Sequence, residues 1–170
     1  MPDLFSFSGL LQHAAPDMPP QAWWMTGLVL MLLAAVSIID AVKAIVPDPL
    51  IFIGVVAVTA VQGIYHSWPY AAHNLGWGLG IGLLIWGFNE LWFRALKHDA
   101  VGMGDAKWTV LAVACFGLIP SMVAWGAGAI LAILWMGGMR LLRRPIGHVH
   151  FAPFLFLGLL AGIWWMRLRG

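Results

Sequence analysis

"PLIFIGVVAVTAVQGIYHSWPYAAHNLGWGLGIGLLIWGFN", positions 49–89, runs from end to end without a charged side chain. A helix needs about 20 residues to cross the hydrocarbon core of a bilayer, so this run is long enough for two crossings. It also carries its own turn. "YHSWPYAAHN" at 65–74 gathers polar side chains around Pro69 in mid-run, and proline is disfavoured inside a helix but suits the first turn of a new one. The stretch therefore reads as two apolar helices joined by a tight turn. That decides the class: all-α, and polytopic in a membrane.

Working outward, the other charge-free runs supply the remaining spans. Met18 to Ile39 is long enough for one crossing and ends at Asp40. Trp108 to Met139 is too long for one crossing and slightly short for two, and it contains "GLIPS" at 117–121; this predicts two short helices. Pro145 to Met166 makes the last, for about six transmembrane helices in all. Composition agrees, with 62% hydrophobic and 9% charged residues, where soluble domains carry about a quarter charged. The mean hydropathy is +0.88. A chain of 170 residues supports one membrane-embedded domain, residues 1–170, with 1–20 as an N-terminal periplasmic segment. That segment holds Asp3 and Asp17 and no Lys or Arg. It lacks the basic start of a secretory signal, so the first apolar helix is expected to be retained. A net charge of +2 without a basic run gives no nucleic-acid arm. The single cysteine, Cys115, lies in an apolar run, which excludes a disulfide framework and a four-cysteine zinc module.

Basic residues orient the bundle. Lys43, Arg94, Lys97, Lys107, Arg140, Arg143 and Arg144 fall on one side, and only Arg167 and Arg169 on the other. The first side is expected to be cytoplasmic, with the N-terminus outside. Asp40 and Asp105 then share one depth and one face.

A carboxylate at the edge of hydrocarbon is costly and usually faces a cavity or a partner. Asp40 could equally be a boundary charge beside Lys43. Asp105 closes "GMGD" (102–105). Gly102 and Gly104 permit close approaches that a side chain would block, and a helix N-terminus favours negative charge. Taken alone, Asp105 also fits an ordinary helix cap. Together the two suggest more. Paired aspartates can hydrolyse an amide without metal: one takes a proton from water while the other, protonated, hydrogen-bonds the scissile carbonyl. Like charges close together cannot both ionise easily, which divides the roles, though the pair titrates as a unit.

"DAVKAIVPDPL" (40–50) followed by "GMGDAK" (102–107) resembles the bacterial type IV prepilin leader peptidases, membrane-embedded GxGD aspartyl proteases distantly akin to preflagellin peptidases and presenilin. In that family the first catalytic aspartate stands seven residues before a Pro, then Asp or Asn and, two further on, Leu. Asp40, Pro47, Asp48 and Leu50 match. The second ends GxGD with Lys two residues later, as do Asp105 and Lys107. A Pro-Phe-Gly-Pro-Phe-Leu-like segment opens the family's last helix, and Phe151, Pro153, Phe154 and Leu155 of "HFAPFLFLG" (150–158) fit it, with His150 and Ala152 replacing its Pro and Gly.

The resemblance covers about residues 25–165. It implies an aspartic endopeptidase that removes the leader of prepilin or pseudopilin precursors at the cytoplasmic face of the bacterial inner membrane. Asp40 and Asp105 would be catalytic; Gly102, Gly104, Lys107, Pro47, Asp48 and Pro153 would shape the site or hold substrate. The implied partners are those precursors and membrane lipid; a homo-oligomer is compatible, and no cofactor is called for. Longer members carry an insert with two cysteine pairs and an N-methyltransferase activity. This chain has one cysteine and no such insert, so peptidase activity alone is expected, and it is close in size to the short members that serve Flp/Tad-type pili. The rival reading is a non-proteolytic membrane protein, such as a proton-coupled transporter relaying through the same carboxylates, or an inactive relative.

Other polar residues have simpler expectations. Asp48 pairs with Lys43 or Lys107, and Glu90 with Arg94 across one helix turn. Asn89 and Glu90 are deep enough to face the interior. Asp99 is a rival carboxylate without the glycine context. His148 and His150 form an H-x-H pair without an evident third metal ligand. Trp23, Trp24, Trp164 and Trp165 suit interface anchors, and "GWGLGIG" (76–82) suits close helix packing.

Overall fold

The computed structural model describes residues 23–97, 101–143 and 150–169; Asp99, His148 and the segment 1–20 lie outside them. Among the described residues the chain is all-α, with six helices: α1 (Trp23–Lys43), α2 (Asp48–Tyr65), α3 (Trp68–Leu96), α4 (Met103–Phe116), α5 (Leu118–Leu141) and α6 (Ala152–Arg169). Three of them are long and apolar enough to cross a membrane: α1 from Trp24, α2 and α5.

The turn expected inside the long uncharged run lies between α2 and α3. Ser67 caps α3 by accepting a hydrogen bond from the Tyr70 N–H at 3.3 Å, and Pro69 occupies the first turn. Gly63 makes room for the Trp68 ring, which a Cβ there would meet at 2.6 Å. Beyond Asn89, α3 continues to Leu96. Glu90 and Arg94 pair across a turn at 2.8 Å, so charge does not end this helix; Lys97, in the left-handed conformation at φ 61°, does.

The expectation of two short helices between Trp108 and Met139 needs correction. The break does fall at Gly117, whose φ of 83° suits glycine. However, Pro120 is the third residue of α5, where no intrahelical bond is lost. "GLIPS" therefore starts a helix of 24 residues. Helix α4 is short, at 14 residues, and begins at Met103 rather than Trp108, so Asp105 and Lys107 lie inside it.

Helix α4 is the centre of the fold and touches each of the other five. Trp108, Leu111, Ala112 and Val113 are fully buried, in a core with Leu33 and Val36 of α1, Val58 of α2, Ala124 of α5 and Leu155 of α6. Small residues bring the neighbours close. Gly78 and Gly82 of α3 face Val110, where a Cβ would lie 2.9 Å from the Val110 carbonyl oxygen or 2.5 Å from its Cγ2; Gly76 and Gly80 face open space. Gly128 of α5 packs on the backbone of Phe154, and Gly158 of α6 on that of Ala124. The outer faces carry exposed large apolar residues, among them Phe52, Leu83, Leu84, Ile133 and Leu134.

Candidate active site

One end of the bundle gathers the C-terminus of α1 and the N-termini of α4 and α6 around a cavity of about 560 Å³. Asp40, Gly102, Gly104, Asp105, Lys107 and His150 all line it. The two aspartates, far apart in sequence, thus reach one water-accessible space from different helices.

Asp40 lies three residues before the end of α1, with its side chain only 13% exposed. Its carbonyl accepts the Ala44 N–H at 2.8 Å, closing the helix on a left-handed Ala44 at φ 54°. One turn earlier on the same face, Ser37 Oγ donates to the Ala152 carbonyl at 3.2 Å. That buried bond ties α1 to the start of α6, beside the cavity.

Asp105 is the third residue of α4 and is buried. It is not the helix cap; Gly102 holds that position, with extended backbone. The Asp105 N–H donates to the Gly102 carbonyl at 3.0 Å, and the carboxylate lies in the first turn, where the exposed N–H groups of the helix favour negative charge. A chain of bonds fixes this turn. Thr109 Oγ1 donates to the Asp105 carbonyl at 2.6 Å, and Trp125 Nε1 of α5 donates to Thr109 Oγ1 at 2.9 Å. The Trp125 ring in turn packs on Phe151, centroids 5.3 Å apart, and Phe151 lines the cavity.

The glycines serve close approach within the protein. A Cβ on Gly104 would lie 2.6 Å from Val46 Cγ2 and 3.8 Å from Asp40 Oδ1; one on Gly102 would lie 3.1 Å from Asp105 Oδ2. The missing side chain at Gly104 is thus replaced by Val46, which is buried. This contact lets α4 sit against the end of α1.

Lys107 Nζ pairs with Asp48 Oδ1 at the first turn of α2, the second of the two partners expected for Asp48. Its charge is therefore met at the rim. Pro47 is the N-cap of α2, and Pro153 the second residue of α6; with Asp48 they set helix starts and are not among the described lining residues. Asn89 is buried, and its Oδ1 accepts the Val101 N–H at 3.1 Å, steering the chain into Gly102. Glu90 instead faces Arg94.

Four residues at this site carry more than the sequence suggested: Ser37, Thr109, Trp125 and His150. Ser37 and Thr109 stand three before Asp40 and four after Asp105, spacings that share a helix face. Trp125 and His150 carry no such local signal. The imidazole Nδ1 of His150 lies 3.9 Å from Asp40 Oδ2, an arrangement that only the packing of α6 against α1 creates.

No family model, curated protein or solved structure matches this chain.

Proposed function

We propose that this chain is a polytopic membrane aspartyl endopeptidase that removes the leader of prepilin or pseudopilin precursors at the cytoplasmic face of the bacterial inner membrane. The observation that carries this reading is the convergence of Asp40 and Asp105 on one cavity at one end of the bundle. In the proposed reaction one carboxylate takes a proton from water, and the water oxygen attacks the scissile carbonyl carbon. The other, protonated, carboxyl hydrogen-bonds the carbonyl oxygen and stabilises the charge that develops there. The tetrahedral intermediate collapses with the C–N bond broken and a proton delivered to the leaving nitrogen.

Two further features support the reading. The apolar outer faces suit lipid, since a soluble monomer rarely exposes large contiguous apolar patches. Lys107 lines the cavity, and Lys43, Lys97 and Arg140 lie at or next to the helix ends on the same side of the bundle, the bias expected of a cytoplasmic side. Six helices, with the short α4 enclosed by the rest, would then be inserted together.

The test is cleavage of a prepilin precursor from the same genome in liposomes, comparing wild type, Asp40→Asn and Asp105→Asn. Each single substitution is expected to lower the rate by about 10²–10⁴-fold, the worth of a general acid or base, with thermal midpoints unchanged or raised. Equal cleavage by all three would refute the dyad.

A further inference from the structure

Within the proposed dyad the two carboxylates have unequal surroundings. Asp105 shares the cavity with Lys107, but that ammonium is held by Asp48 of α2. Asp40 has His150 at 3.9 Å, on the cavity wall and partly exposed. Among the described residues, the charged and titratable groups that line the cavity with His150 are Asp40 from α1 and Asp105 and Lys107 from α4. Histidine changes charge between about pH 5 and 8. A cation beside one member of a carboxylate pair favours that member as the one carrying the negative charge.

We propose that His150 is a positioning residue of the site: as imidazolium it pairs with Asp40, leaving the shared proton on Asp105, so that Asp40 acts as base and Asp105 as acid. Ser37 supports the pairing, because its bond to Ala152 fixes the α1 face of Asp40 against the start of α6. The inference rests on the peptidase reading for its catalytic part and on geometry alone for the pairing.

The experiment has two arms on the full chain. In liposomes, kcat/KM for precursor cleavage is followed from pH 5.5 to 8.5 for wild type, His150→Gln and His150→Lys. At pH 6 His150→Gln is expected about tenfold below wild type, the effect of one pK unit of charge coupling. That deficit narrows to about twofold at pH 8.5, above the range in which histidine side chains change charge. His150→Lys keeps most of its pH 6 rate across the range. A deficit that is constant with pH, or a lysine variant no better than the glutamine one, overturns the role.

The second arm needs no catalysis. Thermal midpoints in detergent are measured for Asp40→Asn, His150→Gln and the double variant. Non-additivity of about 2–4 °C at pH 6, vanishing at pH 8.5, is expected for one coupled pair in a chain of this size. Additivity at both pH values overturns the pairing. Absence of wild-type cleavage with the thermal coupling intact would remove the peptidase reading and the acid–base assignment with it, while the His150–Asp40 pair would stand.

Discussion

Gly104→Ala tests the close approach on which the site is built. The added Cβ would sit 2.6 Å from Val46 Cγ2 and 3.3 Å from Val46 Cβ, where carbon atoms prefer about 3.5–4.0 Å. Relief of about 1 Å is needed to restore that separation. Val46 is buried and β-branched, so it has little rotamer freedom to yield; the start of α4 must move instead. Overpacking of this kind costs about 1–3 kcal/mol, and misplacing reacting groups by about 1 Å costs on the order of 10²-fold in rate. We therefore expect Gly104→Ala to fold, with kcat for precursor cleavage in liposomes down by about 10–100-fold. Val46→Ala removes the colliding methyl groups, so the double variant Val46→Ala/Gly104→Ala should recover most of the lost rate. Full activity in the single Gly104 variant, or purely additive losses in the double, would refute the argument that Gly104 exists to admit Val46.

Two predictions concern stability. Gln62 is buried in α2, and its Nε2 donates to the Ala114 and Cys115 carbonyls at 2.9 and 3.3 Å; Gln62→Leu should cost about 1–3 kcal/mol by leaving those carbonyls unmet, read as a lowered thermal midpoint. On α3, Gly78→Ala should destabilise by about 1–3 kcal/mol because its Cβ would meet the Val110 carbonyl at 2.9 Å. Gly80→Ala, which meets nothing within 4 Å, should be neutral or stabilising by up to about 1 kcal/mol through helix propensity; equal effects at the two sites would show that α3 does not pack on α4 through this face.

Much of this arrangement is legible in the sequence, because charge and proline are loud signals in an apolar chain. The turn at Ser67–Pro69 and the break at Gly117 follow from them directly. So does the placing of Asp40 and Asp105 at one end, since Asp40 ends its apolar run, Asp105 stands just before Lys107 at the start of another, and the basic residues mark both boundaries as one side. The small-residue stretch 76–82 is readable as packing, though only the fold shows that Gly78 and Gly82 face α4 while Gly76 and Gly80 do not. Pro120 looks the same whether it interrupts a helix or begins one, so the full length of α5 is hidden. The spacing of Gly102 and Gly104 suggests room for a peptide, whereas Val46 fills the space at Gly104. Residues such as Trp125 and His150 act through tertiary contacts, and no local pattern announces those.

The shortness of α4 explains how Asp105 can be both gripped by the fold and open to water. Thr109 and Trp125 each stand eight residues from Gly117 and are hydrogen-bonded, so α4 and α5 run antiparallel in matched register from that turn. In this register Asp105 is level with Ala129. Helix α5 continues twelve residues to Leu141, about 18 Å at roughly 1.5 Å per residue. Helix α3, matched through Gly82 and Val110, continues about nine residues, or roughly 13 Å, past Asp105 to Leu96. The start of α6, matched through Gly128 and Phe154, lies near the level of Asp105, as does the end of α1. A carboxylate in the middle of α4 would be sealed among Trp108, Leu111 and Leu155, with no route to solvent and a large cost for its charge. At the third residue of a helix that stops short of two of its neighbours, the same group keeps its packing below and faces a cavity above. The most buried helix can present a carboxylate to water only at its end.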